Sequence, residues 1–287
     1  MAHINQVFAE SNAGLANSQV AMTFRLVHAV EVSFDDTQST MSYSSTLSAL
    51  QKTDDGFIDE VHTLRDQYGA DMVSLFVNPP LPNSGSFTVG MAYMLGNSPS
   101  NFGPYAFSVV HQGYAGGSSL TFPHEAGHNL GLNHDVDHGG KYGGLYIHSV
   151  GYQQKTLDPK FFTIMAYSSD CGGCTPINYF SNPRVTYSGI PVGITDVSDA
   201  ARTLEEVRTA AAAWRSAPTG TCSYALSSGS SSFDSAGGTT GIGVTSGSGC
   251  SWSATSNAAW ITVTGGASGS GNGTVSLLIA ENTSTSS

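Results

Sequence analysis

The sequence predicts an α/β (α+β) domain with a twisted mixed sheet and one motif-bearing helix, followed by a small all-β, sandwich-like module. Three observations carry this. Apolar stretches between residues 21 and 77 follow a strand, helix, strand order; a histidine-rich segment near residue 124 has helical spacing; and beyond Arg215 there is no Lys or Arg at all. Gly, Ser and Thr then dominate to the end. The expected division is a large domain over 1–216, a linker at 217–221 and a β-rich module over 222–287.

Ala2 to Asn12 places Ile4, Val7 and Phe8 at helical spacing. In Ala21 to Phe34, Met22, Phe24, Leu26, His28, Val30 and Val32 alternate with smaller or polar residues, which predicts a strand with one buried face and His28 as a core histidine. Thr46 to Tyr68 reads as helix interrupted at Asp54-Asp55-Gly56, the second half being the firmer one. Met72 to Val77 is a continuous apolar run typical of a buried strand. Val89 to Met94 and Ala106 to His111 supply two more. Ser118 or Ser119 is the expected N-cap of the next helix, which either starts near Thr121 with Pro123 in its first turn or bends there. Asp199 to Trp214 is a further helix.

The helix after Pro123 carries His124-Glu125-Ala126-Gly127-His128-Asn129-Leu130-Gly131-Leu132-Asn133-His134-Asp135. Residues four apart share a helix face, so His124 and His128 can hold one ion between them. Gly131 can end the helix in a left-handed conformation and return the chain so that His134 reaches the same ion. Three neutral imidazoles leave a fourth tetrahedral position open, the mark of a catalytic rather than a structural zinc. His138 and His148 read as loop residues, with a place for His138 along the cleft. The bland alternative is a helix with surface histidines.

The extended pattern with Asp135 resembles the metzincin zinc endopeptidases, closest to the adamalysin or reprolysin branch. The resemblance is strengthened by Thr163-Ile164-Met165-Ala166-Tyr167, which matches the Met-turn. It implies zinc at His124, His128 and His134, Met165 as an apolar base beneath them, and Asp135 as a structural residue holding the Met-turn segment. A zinc-activated water would then attack the peptide bond, with Glu125 as general base and later general acid. Tyr167 matches a position where astacins and serralysins carry a tyrosine that reaches zinc or the oxyanion, so the chain mixes two patterns. The family's cleft-bordering strand falls on Gly90, Met91, Ala92 and Tyr93, implying backbone pairing with substrate. Metzincin domains commonly close with a helix, here Asp199 to Trp214.

Cys171-Gly172-Gly173-Cys174 reads as a small disulfide loop, a C-x-x-C pair being otherwise half a zinc ribbon or a redox dithiol. Cys222 and Cys250 can join in the β module, where Gly249-Cys250-Ser251-Trp252 and Ala259-Trp260-Ile261-Thr262-Val263 resemble a BACON-type β-sandwich, partial here. Asn272 and Asn282 lie in acceptor-type triplets for glycosylation. A formal charge of −11 argues against nucleic acid or anionic membrane as partner, and no stretch is apolar enough to span a bilayer. No signal-peptide pattern occurs at the start of this sequence. The expected protein is a secreted, monomeric zinc endopeptidase acting on proteins or peptides, its module tethering it to glycan, protein or cell surface. The alternative from another class is a non-catalytic adhesion or binding protein on a metalloprotease scaffold.

Overall fold

A computed structural model describes residues 1–37, 42–82, 85, 87–215, 222–247 and 250–283. The chain divides into two compact units, one of residues 1–65 and 71–215, the other of 66–70 and 216–287. The linker expected at 217–221 lies outside the described residues.

In the first unit, helices α1 (Ala2–Asn17) and α2 (Tyr43–Gln51) precede strand β1 (Val73–Val77), and helix α3 (Glu60–Tyr68), between α2 and β1 in sequence, has residues 60–65 in this unit and 66–68 in the other. Strands β2 (Gly90–Ala92) and β3 (Phe107–His111) follow, and the sheet order is β1-β3-β2. β1 runs parallel to β3 and β2 antiparallel to it. All five residues of β3 are buried, as a central strand covered on both faces requires. Helix α4 (Thr121–Asn129) packs on β3 and β2, and beyond it come the short strands β4 (Gln153–Gln154), β5 (Phe161–Phe162) and β6 (Thr175–Pro176). A hairpin of β7 (Asn182–Tyr187) and β8 (Ile190–Val192) leads to helix α5 (Ala200–Ala211). Asp199 caps α5, its carboxylate accepting from Arg202 N at 3.1 Å. The mixed α/β class is as predicted.

Two expectations change. Ala21 to Phe34 forms no strand: Met22, Phe24, Leu26, Val32 and Phe34 are half-buried, but the segment joins no ladder. Asn12 takes the place of a neighbouring strand there, accepting from Phe24 N at 2.7 Å and donating to Phe24 O at 2.9 Å. An asparagine amide has the same donor and acceptor as a peptide group, so it satisfies the backbone without a ladder. His28 on that segment is half-buried rather than in the core. Neither Ser118 nor Ser119 caps α4, because Leu120 occupies the cap position in left-handed conformation (φ 51°) with no side-chain bond.

α1 is tied to a distant segment. Ser18, at its end, accepts from Phe180 N at 2.7 Å through Oγ and from Asn182 Nδ2 at 2.8 Å through its carbonyl; Asn178 Nδ2 donates to Glu10 O at 2.8 Å.

In the second unit, β9 (Tyr224–Leu226), β10 (Gly238–Ser246), β12 (Ile261–Gly265) and β14 (Gly273–Ile279) form an antiparallel sheet in the order β12-β14-β10-β9. β11 (Ser251–Ser253) pairs with β13 (Ser268–Ser270). Trp252 donates to Gly271 O at 2.8 Å. Both expected cysteine pairs, Cys171–Cys174 and Cys222–Cys250, are joined.

Candidate metal centre

Helix α4 begins at Thr121, so Pro123 falls in its first turn, where no intrahelical donor is lost; His124 N makes the first i−4 bond, to Leu120 O at 3.1 Å. The helix ends in a Schellman motif. Gly131 is left-handed (φ 87°), Leu132 N bonds Gly127 O at 2.9 Å and Gly131 N bonds His128 O at 3.0 Å. This cap turns the Leu132 carbonyl back toward the helix, where it accepts from His128 Nδ1 at 2.9 Å. Asn133 then accepts from His134 N through Oδ1 at 2.8 Å and fixes the returning chain.

His124 donates from Nδ1 to Ile164 O, 2.7 Å away in the Met-turn segment. With Nδ1 of both His124 and His128 committed to carbonyls, their Nε2 lone pairs face inward. One ligand nitrogen from each of His124, His128 and His134 lies within 4.8 Å of the others. Desolvation, then the neighbouring imidazoles, holds His124 well below the ordinary histidine range and His128 down to about 4; desolvation lowers His134 too. The rings are therefore neutral donors at pH 7. Three converging neutral imidazole nitrogens, with the rings of His124 and His128 anchored through Nδ1, fit a zinc ion.

Glu125 is buried between α4 and β2, and burial pushes its carboxyl up to about 8. The room for it comes from Gly90. A Cβ at that position would lie 2.6 Å from Thr121 Cγ2 and 2.8 Å from Glu125 Cγ, and nearer still to Oε1. Gly90, Met91 and Ala92 form the edge strand β2. Tyr93 falls just beyond it, its carbonyl taken by Asn129 Nδ2 at 2.7 Å.

Met165 is fully buried, and its sulfur sits where a Cβ on Gly127 would be, 2.5 Å from that point. Two residues on, the Tyr167 hydroxyl is 3.0 Å from His134 Nε2. Asp135 is buried and joins the motif to this segment: Oδ2 accepts from Tyr167 N at 3.0 Å, while Oδ1 accepts from His138 Nδ1 at 2.7 Å.

A helix-borne three-histidine centre with a buried glutamate beside it, standing over a Met-turn, is that of a zinc metallopeptidase. The chain belongs to the metallo-peptidase family M12, whose reprolysin-type profile matches residues 1–181. It is 32% identical over 209 residues to a peptidyl-Asp metalloendopeptidase of Stenotrophomonas maltophilia, covering 72% of this chain and 46% of that one. Proteins of the same name from Xanthomonas campestris pv. campestris and Pseudomonas aeruginosa are each 30% identical, over 72% and 71% of this chain and 45% and 35% of theirs. The chain thus spans less than half the length of these relatives. A solved structure described as a chaperone-substrate complex shares the fold, with a TM-score of 0.52 and 20% identity over 75% of this chain and 32% of that one.

Gly127, Gly90's steric role, Gln153 and Ser169 are additions of the structure to the residues that the motifs single out. A glycine inside a helix costs about 1 kcal/mol against alanine, so Gly127 was a legible sign of close approach. Gln153, which donates from Nε2 to the carbonyls of Tyr167 and Ser169 at 2.5 and 3.0 Å, carries no sequence signal.

Proposed function

We propose that this chain is the catalytic part of a secreted zinc endopeptidase that hydrolyses peptide bonds in proteins, with a preference for bonds beside aspartate. The observation that carries the reading is the convergence of three neutral histidine nitrogens next to the buried carboxyl group of Glu125. The aspartate preference is drawn from the three relatives, each a peptidyl-Asp metalloendopeptidase.

His124, His128 and His134 hold the metal. A zinc ion there supplies Lewis acidity to the scissile carbonyl and makes a nearby water more acidic. Glu125 takes the proton from the attacking water and delivers it to the departing amine. Burial raises its affinity for a proton in the metal-free site, and the charge of a zinc ion beside it would act in the opposite direction and favour the ionised base. The Tyr167 hydroxyl, within reach of the metal ligands, donates to the developing oxyanion. The edge strand at Gly90, Met91 and Ala92, with Tyr93 at its end, pairs with the extended substrate. Met165 floors the site and Asp135 holds the Met-turn segment.

Residues 1–216 are the catalytic domain in this reading and 222–287 a BACON-like module that tethers it to glycan, protein or cell surface. The two disulfides support export. Among the described residues no helix is long and apolar enough to cross a membrane.

The test compares the wild type with Glu125→Ala on casein and on peptides that differ only in Asp against Asn, with zinc determined in both. Expected are chelator-sensitive cleavage at Asp, its loss in the variant, and one zinc in each. Zinc in both with no cleavage by either would favour the binding-protein reading.

A further inference from the structure

His138 lies outside the zinc triad, yet its ring joins both sides of the site. Asp135 is an acceptor when ionised, so His138 Nδ1 carries the proton and donates to Asp135 Oδ1 at 2.7 Å. His138 Nε2 is then the acceptor and takes the Ser169 hydroxyl proton at 2.8 Å. Asp135 Oδ2 accepts from Tyr167 N at 3.0 Å. Three hydrogen bonds thus close a ring from the Tyr167 backbone through Asp135 and His138 to Ser169, two residues further along the same segment. From the other side Gln153 holds the carbonyls of Tyr167 and Ser169. The His138 ring also stands edge-on to Tyr167, with centroids 5.5 Å apart. Asp170, largely exposed, stands 3.6 Å from His138 Nε2, beyond hydrogen-bond distance, and as an acceptor it leaves the Nε2 lone pair to Ser169.

We infer that His138 is a positioning residue for Tyr167: the Asp135–His138–Ser169 clamp fixes the backbone that carries the phenol and sets where its oxygen stands over the metal ligands. The inference rests on the reading of Tyr167 as an oxyanion donor. The position of a phenol depends on its backbone and two side-chain torsions. The clamp holds the first and the His138 ring restricts the second. A backbone free to shift by a fraction of an ångström would carry the hydroxyl away from His134 Nε2, where it now lies at 3.0 Å.

The test is a double-mutant cycle on the zinc-loaded enzyme with His138→Ala, Tyr167→Phe and both together, paired with amide exchange of the 164–170 segment. His138→Ala is expected to lower kcat by about 10- to 100-fold, the upper figure being what a displacement of about 1 Å costs a positioned group, with KM and zinc content held. It should add no further loss in the Tyr167→Phe background, and exchange at the Tyr167 amide should rise by about tenfold. Equal losses in both backgrounds would overturn the inference while leaving Tyr167's role standing. Full activity in Tyr167→Phe alone would remove the reading of Tyr167 and the inference with it. His138→Asn, whose amide can still donate to Asp135, should recover most of the rate, and Ser169→Ala should cost less than His138→Ala. If His138→Ala does not fold, Ser169→Ala decides: wild-type kcat together with wild-type exchange at the Tyr167 amide in that variant would overturn the clamp.

Discussion

Gly90→Ala tests whether the strand backbone makes the room in which Glu125 works. The added methyl would stand 2.8 Å from Glu125 Cγ and 2.6 Å from Thr121 Cγ2, where ordinary contact begins near 3.4 Å. Thr121 is buried on the first turn of α4 and has nowhere to go, so the glutamate side chain is the part that yields. It must swing its carboxylate by about 1 Å, and a misplacement of that size in a catalytic group can cost about 10²-fold in rate. Alanine keeps the N–H and C=O of glycine, so the proposed pairing of the strand with substrate would be preserved. The loss therefore belongs in kcat, with KM within about threefold and zinc unchanged. Overpacking should also lower stability by about 1–3 kcal/mol, read as a fall in denaturant midpoint. Steady-state kinetics on one peptide with metal analysis of the same sample is the assay. A variant with wild-type kcat, or one whose only change is a raised KM, would refute the reasoning.

Three further outcomes are expected. Gly127→Ala places a methyl 2.5 Å from Met165 Sδ and 3.3 Å from Leu132 Cδ1, in a part of the core with no free space, so stability should fall by about 1–3 kcal/mol despite the better helix propensity; an unchanged melting temperature would count against the close approach of Met165. In metal-free protein, His128 at about 4 against its ordinary 6.5 means that the unfolded chain binds a proton the fold excludes, so its contribution is lost as pH falls from 6.5 to 4, by about 3 kcal/mol. Glu125, at about 8 against 4.5, has the opposite sign: its protonated form favours the fold, and that contribution fades as pH rises from 4.5 to 8. Urea melts of chelated wild type and Glu125→Gln across pH 4.5–8 should differ in slope by about 1.4 kcal/mol per pH unit, and parallel curves would reject a raised carboxyl. Chelation alone should lower the melting temperature, and added zinc should restore it in a concentration-dependent way; a melting temperature indifferent to zinc would reject the metal centre.

The metal ligands were legible because helical geometry turns a spacing of four into a shared face, and because Gly131 announces where the helix stops. Both are local rules, and the Schellman bonds obey them. The strands β1 and β3 were legible for a similar reason, since a central strand covered on both faces must be apolar throughout. Ala21 to Phe34 was misread although its alternation of burial is real. Periodicity reports which side chains face inward but not what the backbone bonds to, and here a single asparagine side chain bonds the backbone at Phe24. The Asp135–His138–Ser169 clamp was out of reach on the same grounds, because its members meet only through the fold. In the sequence Gly90 stands out only as part of the strand that the family resemblance sets along the cleft. Its closer neighbour is Glu125, 35 positions along the chain and on another element.

The bonds between α1 and residues 178–182 place the opening of the domain against a segment made some 160 residues later. At about 5–20 residues per second, a nascent chain exposes all three histidines several seconds before the partners of Ser18 exist. During that interval the emerging polypeptide carries the three histidines without the bonds that tie α1 to residues 178–182. Contacts of such long range also form late in folding. The timing of synthesis thus separates the appearance of the histidine set from the closing of α1 onto the domain.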